Sequence, residues 1–389
     1  MNSRENPFYL TTIIPDEYFC DRKEETRTIN RLIQNGNNVT IYSPRRMGKT
    51  GLIYHCFGRD ELKGYYKIFV DLLSTNNLQE FTYFFGNEVF NTLKSKGSKM
   101  LGTLLGTLKS LTGKFGIDEK GLPSFNISLG DITNPKYTLE EIFNCIENAD
   151  KPCIIAFDEF QQVAKYEEKN IEALLRTYIQ KSQNCRFIFS GSESHLLQEM
   201  FSSQSRPFFQ STSSLSLGQI SKTEYCKFAA ANFEKFGRKA EMPAIESIYD
   251  LMDGHTYYMQ KIMNEVFSLS QSGDICNSKM FEASLARIID MEDNSFSTMI
   301  GRRSLKQKLL LYAIACERNA AQITSEEFIS KYNLNSASSV QYAAGVLIKD
   351  SLISRVIRNG EAEYCINNKF FEIWLCKKYG HNNARNSFV

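Results

Sequence analysis

Gly48, Lys49 and Thr50, followed much later by Asp158 and Glu159, are the side chains here whose types and spacing could act together on a phosphate ester. A phosphate-binding loop follows G-x-x-x-x-G-K-[ST] between a strand and a helix. Residues 43–50 run S-P-R-R-M-G-K-T, so the last three match and Ser43 stands where the first glycine belongs. Gly48 would let backbone N–H groups close on a phosphate, Lys49 would neutralise β- and γ-phosphate charge, and the Thr50 hydroxyl would ligate Mg2+. A left-handed turn at Ser43 would cost about 1–2 kcal/mol; Pro44 favours an extended Ser43 and would relieve that strain. Arg45 and Arg46 would either reach phosphates or decorate the rim, with Met47 and Gly51 completing the cradle.

"CIIAFDEFQQV" runs four apolar residues into Asp158-Glu159. At the carboxyl end of a buried strand, where ligands sit in doubly wound sheets, Asp158 would hold Mg2+ and Glu159 would orient and deprotonate an attacking water. The bland alternative is an acidic pair that caps the next helix. "RFIFSGSES" ends another apolar run in Ser190 and Ser192, whose hydroxyls would sense the γ-phosphate.

These residues need a sheet to hold them. Five short runs, "NVTIYS" (38–43), "YKIFVDL" (66–72), "CIIAFDE" (153–159), "RFIFSG" (186–191) and "SLSLGQI" (214–220), are mostly apolar throughout, as strands covered on both faces are. Helical spacing separates them, which predicts a doubly wound α/β domain with a mainly parallel sheet. Residues 94–136 shift to Gly, Ser and Lys and predict an inserted hairpin turning at Asp118–Gly121. After residue 220 the pattern is helical, and three helices plus a hairpin around Asn359-Gly360 predict a winged helix. The expected division is 1–220 for the α/β core, 221–300 for a helical lid, 301–380 for the winged helix and 381–389 for a tail.

The 389 residues carry 46 basic and 44 acidic side chains, a balance that predicts no blanket attraction to nucleic acid or acidic membranes. Ten cysteines without a CxxC pair predict free thiols in a reducing cytosol. No run reaches the ~18 apolar residues of a membrane span. The expectation is a cytoplasmic protein with no membrane partner.

In this order the strings resemble those of the archaeal-type ATPase family, in the STAND branch of the AAA+-like P-loop ATPases. "FCDRKEETRTI" is similar to that family's F-x-G-R-x-x-E entry beside adenine, which implicates Arg22. "SPRRMGKTGLI" resembles its phosphate loop, "CIIAFDEFQ" its DEhQ string, and "FIFSGSESHLLQEMF" its sensor strand. "LMDGHTYYMQKI" resembles the lid segment, which brings in His255, and "YCINNKFFEIWL" the close of the winged helix. The resemblance implies an ATP/Mg2+-binding P-loop core, a helical lid and a winged helix-turn-helix used as a nucleotide-dependent switch. This sequence departs from the family at Asp21 for Gly, Ser43 for Gly and Thr256 for the lid Pro.

Arg176 and Arg206 are candidates for steadying transition-state charge. The expected activity is slow Mg2+-dependent hydrolysis of ATP to ADP, with a protein partner or self-association. The alternative is a DNA-binding or scaffold protein whose nucleotide site does not turn over efficiently. From Ser304 to Cys376 eight basic residues face seven acidic ones, and the candidate recognition helix Ala337–Lys349 carries one charge, Lys349. That favours docking over DNA reading, because DNA affinity rests largely on Lys and Arg. Phe370, Phe371, Ile373 and Trp374 look like a packing anchor.

Overall fold

The computed structural model describes residues 6–94, 109–110, 115–117, 123–125, 127–358 and 360–379. It falls into two compact units, Thr11–Ile220 and Met1–Leu10 with Ser221–Val389. Residues 6–10 thus group with the second unit. The cause is Phe8, fully buried against Phe228, Phe233 and Phe267 of the second unit.

In the unit Thr11–Ile220, helix α1 (Lys23–Gln34) precedes β1 (Val39–Tyr42), α2 (Lys49–Gly58), β2 (Tyr66–Asp71) and α3 (Leu78–Lys94). A two-stranded antiparallel pair follows, β3 (Phe115–Ile117) with β4 (Pro123–Phe125); the expected hairpin turn at Asp118–Gly121 lies outside the described residues. Then come α4 (Pro135–Glu147), β5 (Cys153–Asp158), α5 (Ile171–Lys181), β6 (Cys185–Gly191), α6 (Ser194–Ser202) and β7 (Ser213–Ser216). The five long-predicted strands form one parallel sheet in the order β2-β5-β6-β1-β7.

The lack of alternation in these strands has a direct cause. Ile155, Phe157, Phe187 and Phe189 point into one core with Phe81, Phe85 and Ile142 from α3 and α4. Ile154, Ala156 and Ile188 point into the other with Ile29, Ile33, Leu52 and Ile53 from α1 and α2. Both faces are covered, so both parities are apolar. The doubly wound α/β class is therefore as expected.

The second unit opens with α7 (Lys222–Lys235), α8 (Met242–Leu251), α9 (Thr256–Leu269), α10 (Ser278–Met291) and α11 (Asp293–Gly301). A short parallel pair, β8 (Lys239–Ala240) with β9 (Ile275–Cys276), is too brief to show in the sequence. The winged-helix portion comprises α12 (Leu305–Glu317), β10 (Ala320–Ala321), α13 (Glu326–Lys331), α14 (Ala337–Lys349), β11 (Ile353–Arg358), β12 (Glu361–Ile366) and α15 (Lys369–Tyr379). Serines cap its first three helices, with Ser304, Ser325 and Ser336 each accepting a backbone N–H three residues on. β10 adds an unpredicted third strand beside β12. The aromatic anchor lies on α15: Phe371 and Trp374 pack on Phe296, and the Trp374 indole N–H donates to Asp293 at 2.7 Å. Among the described residues no helix is long and apolar enough to cross a membrane.

Candidate nucleotide site

The loop 43–48 leaves β1 at the carboxyl edge of the sheet and enters α2. Ser43 is not in a left-handed conformation; the positive φ angles fall on Arg46 (70°) and Gly48 (91°). Ser43 therefore carries none of the left-handed strain a glycine would have been needed to avoid. Its buried hydroxyl donates to the Pro44 carbonyl at 3.1 Å. Gly48 caps α2 with no side-chain hydrogen bond, and a Cβ built on it would meet nothing within 4 Å. The first N–H groups of α2 are thus left to an outside acceptor, the arrangement that suits an anion.

Lys49 is 6% exposed, and its ammonium donates to the carbonyls of Ser43 at 2.9 Å and Pro44 at 3.1 Å. Burial pulls its pKa below the ordinary lysine value, while the negative charges of Glu159 and Asp158 work the other way.

Asp158 is the hub. Thr50 Oγ1 donates to its Oδ2 at 2.7 Å and Ser190 Oγ to its Oδ1 at 2.5 Å. Sheet order explains the convergence: β6 lies between β1 and β5, with Ser190 in register with Ile41 and Phe189 with Phe157. Helix α2 then brings Thr50 over the same edge. Glu159 turns away at φ 54°, and its Oε2 accepts from the Ser192 hydroxyl at 2.8 Å, the Ser192 N–H at 3.2 Å and Gln161 Nε2 at 2.5 Å. Arg45 reaches across from the loop to Ser192 Oγ at 3.3 Å. Glu159 heads a 3-10 helix (Phe160–Lys165) without a side-chain capping bond of its own, while Asp158 Oδ1 accepts the Glu159 N–H at 3.1 Å.

Arg22 lies beneath the loop, 4% exposed, donating to the carbonyls of Met47 at 3.3 Å and Gly218 at 2.7 Å. Asp21 before it has φ 55°, which accounts physically for a glycine preference there; Asp tolerates the left-handed region better than most residues. Phe19 stacks on His55 of α2 at 3.9 Å, and Gly51 gives room for the edge of Phe19.

The two candidate arginines are engaged elsewhere. Arg206 is paired with Glu172 at 2.9 Å and Glu199 at 2.8 Å, and Arg176 donates to the Pro207 carbonyl at 3.0 Å. Neither has a recorded bond to the loop, Asp158 or Glu159. His255 belongs to the other unit, where it precedes α9 in extended conformation. Thr256 takes the first helical position, one that proline favours but does not monopolise, so the turn forms without it.

Three contributors escaped sequence reasoning. Gln161 and Gly191 work together: a Cβ at Gly191 would come within 2.0 Å of Gln161 Oε1. Gln161 falls within the string D-E-F-Q, which could have flagged it. Asp71 ends β2 in register with Asp158, and burial together with the charges of Asp158 and Glu159 raises its carboxyl pKa despite a bond from the Leu73 N–H. Only the sheet register reveals it.

A parallel sheet with a lysine-bearing glycine loop and a carboxylate at the end of a neighbouring buried strand defines the P-loop ATPase class. Residues 19–262 match the model of an ATPase domain found predominantly in Archaea, and the chain belongs to that family. Residues 294–377 match a probable winged helix domain. No curated protein matches the chain. Among solved structures it is similar to the Walker-type ATPase PABY2304 of Pyrococcus abyssi, at 18% identity over 95% of this chain and 99% of that one, with a TM-score of 0.64. It is also similar to the ORC2 protein of Aeropyrum pernix in its ADPNP–ADP complexes, at 12% identity over 97% and 98%, with a TM-score of 0.56. At such identities these likenesses speak for the fold.

Proposed function

We propose that the chain binds ATP with Mg2+ at residues 43–51 and hydrolyses it slowly, as a STAND-type regulatory switch. The observation that carries this reading is the convergence of the Thr50 and Ser190 hydroxyls on Asp158, whose charge acts on the buried Lys49 ammonium. The donor set fits the absent groups: a hydroxyl beside a carboxylate suits a hard, oxygen-seeking cation, and the open N–H groups of α2 suit a phosphate. Mg2+ there would offset phosphate charge. Thr50 and Asp158 would hold it. Lys49 would exchange its bonds to the Ser43 and Pro44 carbonyls for phosphate oxygens. Glu159 would accept a proton from the attacking water once Ser192 and Gln161 release it, and that restraint supports slow turnover. Arg22 supports the loop from beneath.

Residues 221–300 serve as the lid and 301–380 as a winged helix that docks a protein partner or a second copy; residue 380 and the expected tail 381–389 lie outside the described residues. DNA reading is the second possibility for the winged helix, and its near-neutral charge counts against it. Phosphate release by the purified chain, with and without duplex DNA, tests the proposal. Glu159→Gln retains ATP and loses turnover; unchanged release in that variant removes Glu159 from its role. Binding to duplex DNA that weakens steeply with salt would favour the DNA reading.

A further inference from the structure

Cys316 and Cys376 lie side by side on the packed helices α12 and α15 of the second unit. The Cys376 thiol and the Tyr312 hydroxyl both act on the Cys316 sulfur from the neighbouring turns. Cys376 Sγ is also 3.5 Å from the Ala315 carbonyl, which fixes it against the last turn of α12. Of the ten cysteines, Cys316 is the exposed one, Cys365 and Cys376 are partly exposed and seven are buried.

The contrast with the buried thiols is chemical. Cys153 and Cys185 face each other across β5 and β6, at 0% and 2% exposure, out of reach of any solute. Burial pushes the Cys56 and Cys145 thiols up to about 12, which leaves them protonated at neutral pH. At Cys316 the Cys376 donor outweighs burial, Tyr312 adds a second donor, and Lys331 opposes the negative charge of Glu317; its pKa falls below the ordinary thiol value. The thiolate is the reactive form.

We propose that Cys316 and Cys376 form an oxidation site for hydrogen peroxide, closing to an intramolecular disulfide between α12 and α15. The Cys316 thiolate attacks one peroxide oxygen; an S–O bond forms, the O–O bond breaks, and the departing hydroxide takes a proton to become water. Cys376, after losing its proton to solvent, attacks the sulfenic sulfur of Cys316. The S–S bond forms, the S–O bond breaks, and a second water leaves. Two thiols lose two electrons and two protons, and one peroxide becomes two waters. The bridge would tie α15, with Trp374 and the buried Lys369–Glu372 pair, to the first helix of the winged-helix portion.

Peptide mapping of the full chain under non-reducing conditions, after hydrogen peroxide, tests this. The expected product is one linked pair of peptides bearing Cys316 and Cys376, lighter by two hydrogens and restored by dithiothreitol. In Cys376→Ser the link disappears and Cys316 is trapped as a dimedone adduct. Cys316→Ser gives neither link nor adduct. Both thiols remaining free in the wild-type chain, or Cys316 found only in bridges between chains, would overturn the proposal; neither result depends on whether a variant folds.

Discussion

Removing the Ser190 hydroxyl isolates the contact that joins β6 to the Asp158 hub. Ser190 is fully buried and donates to Oδ1 at 2.5 Å; Oδ1 keeps the Glu159 N–H at 3.1 Å, and Oδ2 keeps Thr50. A hydrogen bond to a charged group contributes about 1.5–3 kcal/mol, and the remaining donors place the cost of Ser190→Ala at about 2 kcal/mol. With a urea dependence of about 3 kcal/mol per M, the unfolding midpoint of this unit falls by about 0.7 M. Urea unfolding followed by far-ultraviolet circular dichroism reads the shift. Thr50→Ala should cost a similar amount, and the double variant should depart from additivity because both act on one carboxylate. A Ser190→Ala loss below about 0.5 kcal/mol, the range of an exposed substitution, would refute the idea that this carboxylate is held by buried donors.

Gly191→Ala drives a methyl into Gln161 Oε1 and toward Leu197, so we expect a loss of about 1–3 kcal/mol by thermal unfolding. Adding Gln161→Ala removes the obstruction and recovers most of it; no recovery would move the cause elsewhere. At Glu317, bonds from Lys331 at 2.6 Å and from the Tyr332 hydroxyl hold the carboxyl below its ordinary value of 4.5. Its folded pKa is the lower one, so its stabilising contribution is present above pH 4.5 and is lost as pH falls through the folded value. Glu317→Gln should therefore flatten the acid side of a plot of melting temperature against pH, and an unchanged acid side would contradict the assignment.

The centre of the sheet was legible because β5 and β6, buried on both faces, leave continuous apolar runs, whereas β7 (Ser213–Ser216) is half-exposed and marked only by a short alternation. The loop was legible because Gly48-Lys49-Thr50 is a local signal. Ser43 was harder: its conformation depends on Pro44 and on where the left-handed residues fall, and those proved to be Arg46 and Gly48. Asp71 and Gly191 were invisible because their roles arise from register and close approach between elements distant in sequence. Arg176 and Arg206 were plausible by type alone, and the carbonyl and carboxylates that hold them come from segments no spacing rule connects. The two-residue strands β8, β9 and β10 are shorter than any periodicity can register.

Calorimetric titration of ATP with MgCl2 into the wild-type chain and into Lys49→Ala reaches the central claim most directly. The account predicts saturable, Mg2+-dependent binding at one site in the wild type and its loss in Lys49→Ala while the fold, read by circular dichroism, persists. Equal heats in both proteins, or no binding by a folded wild-type chain, would contradict it.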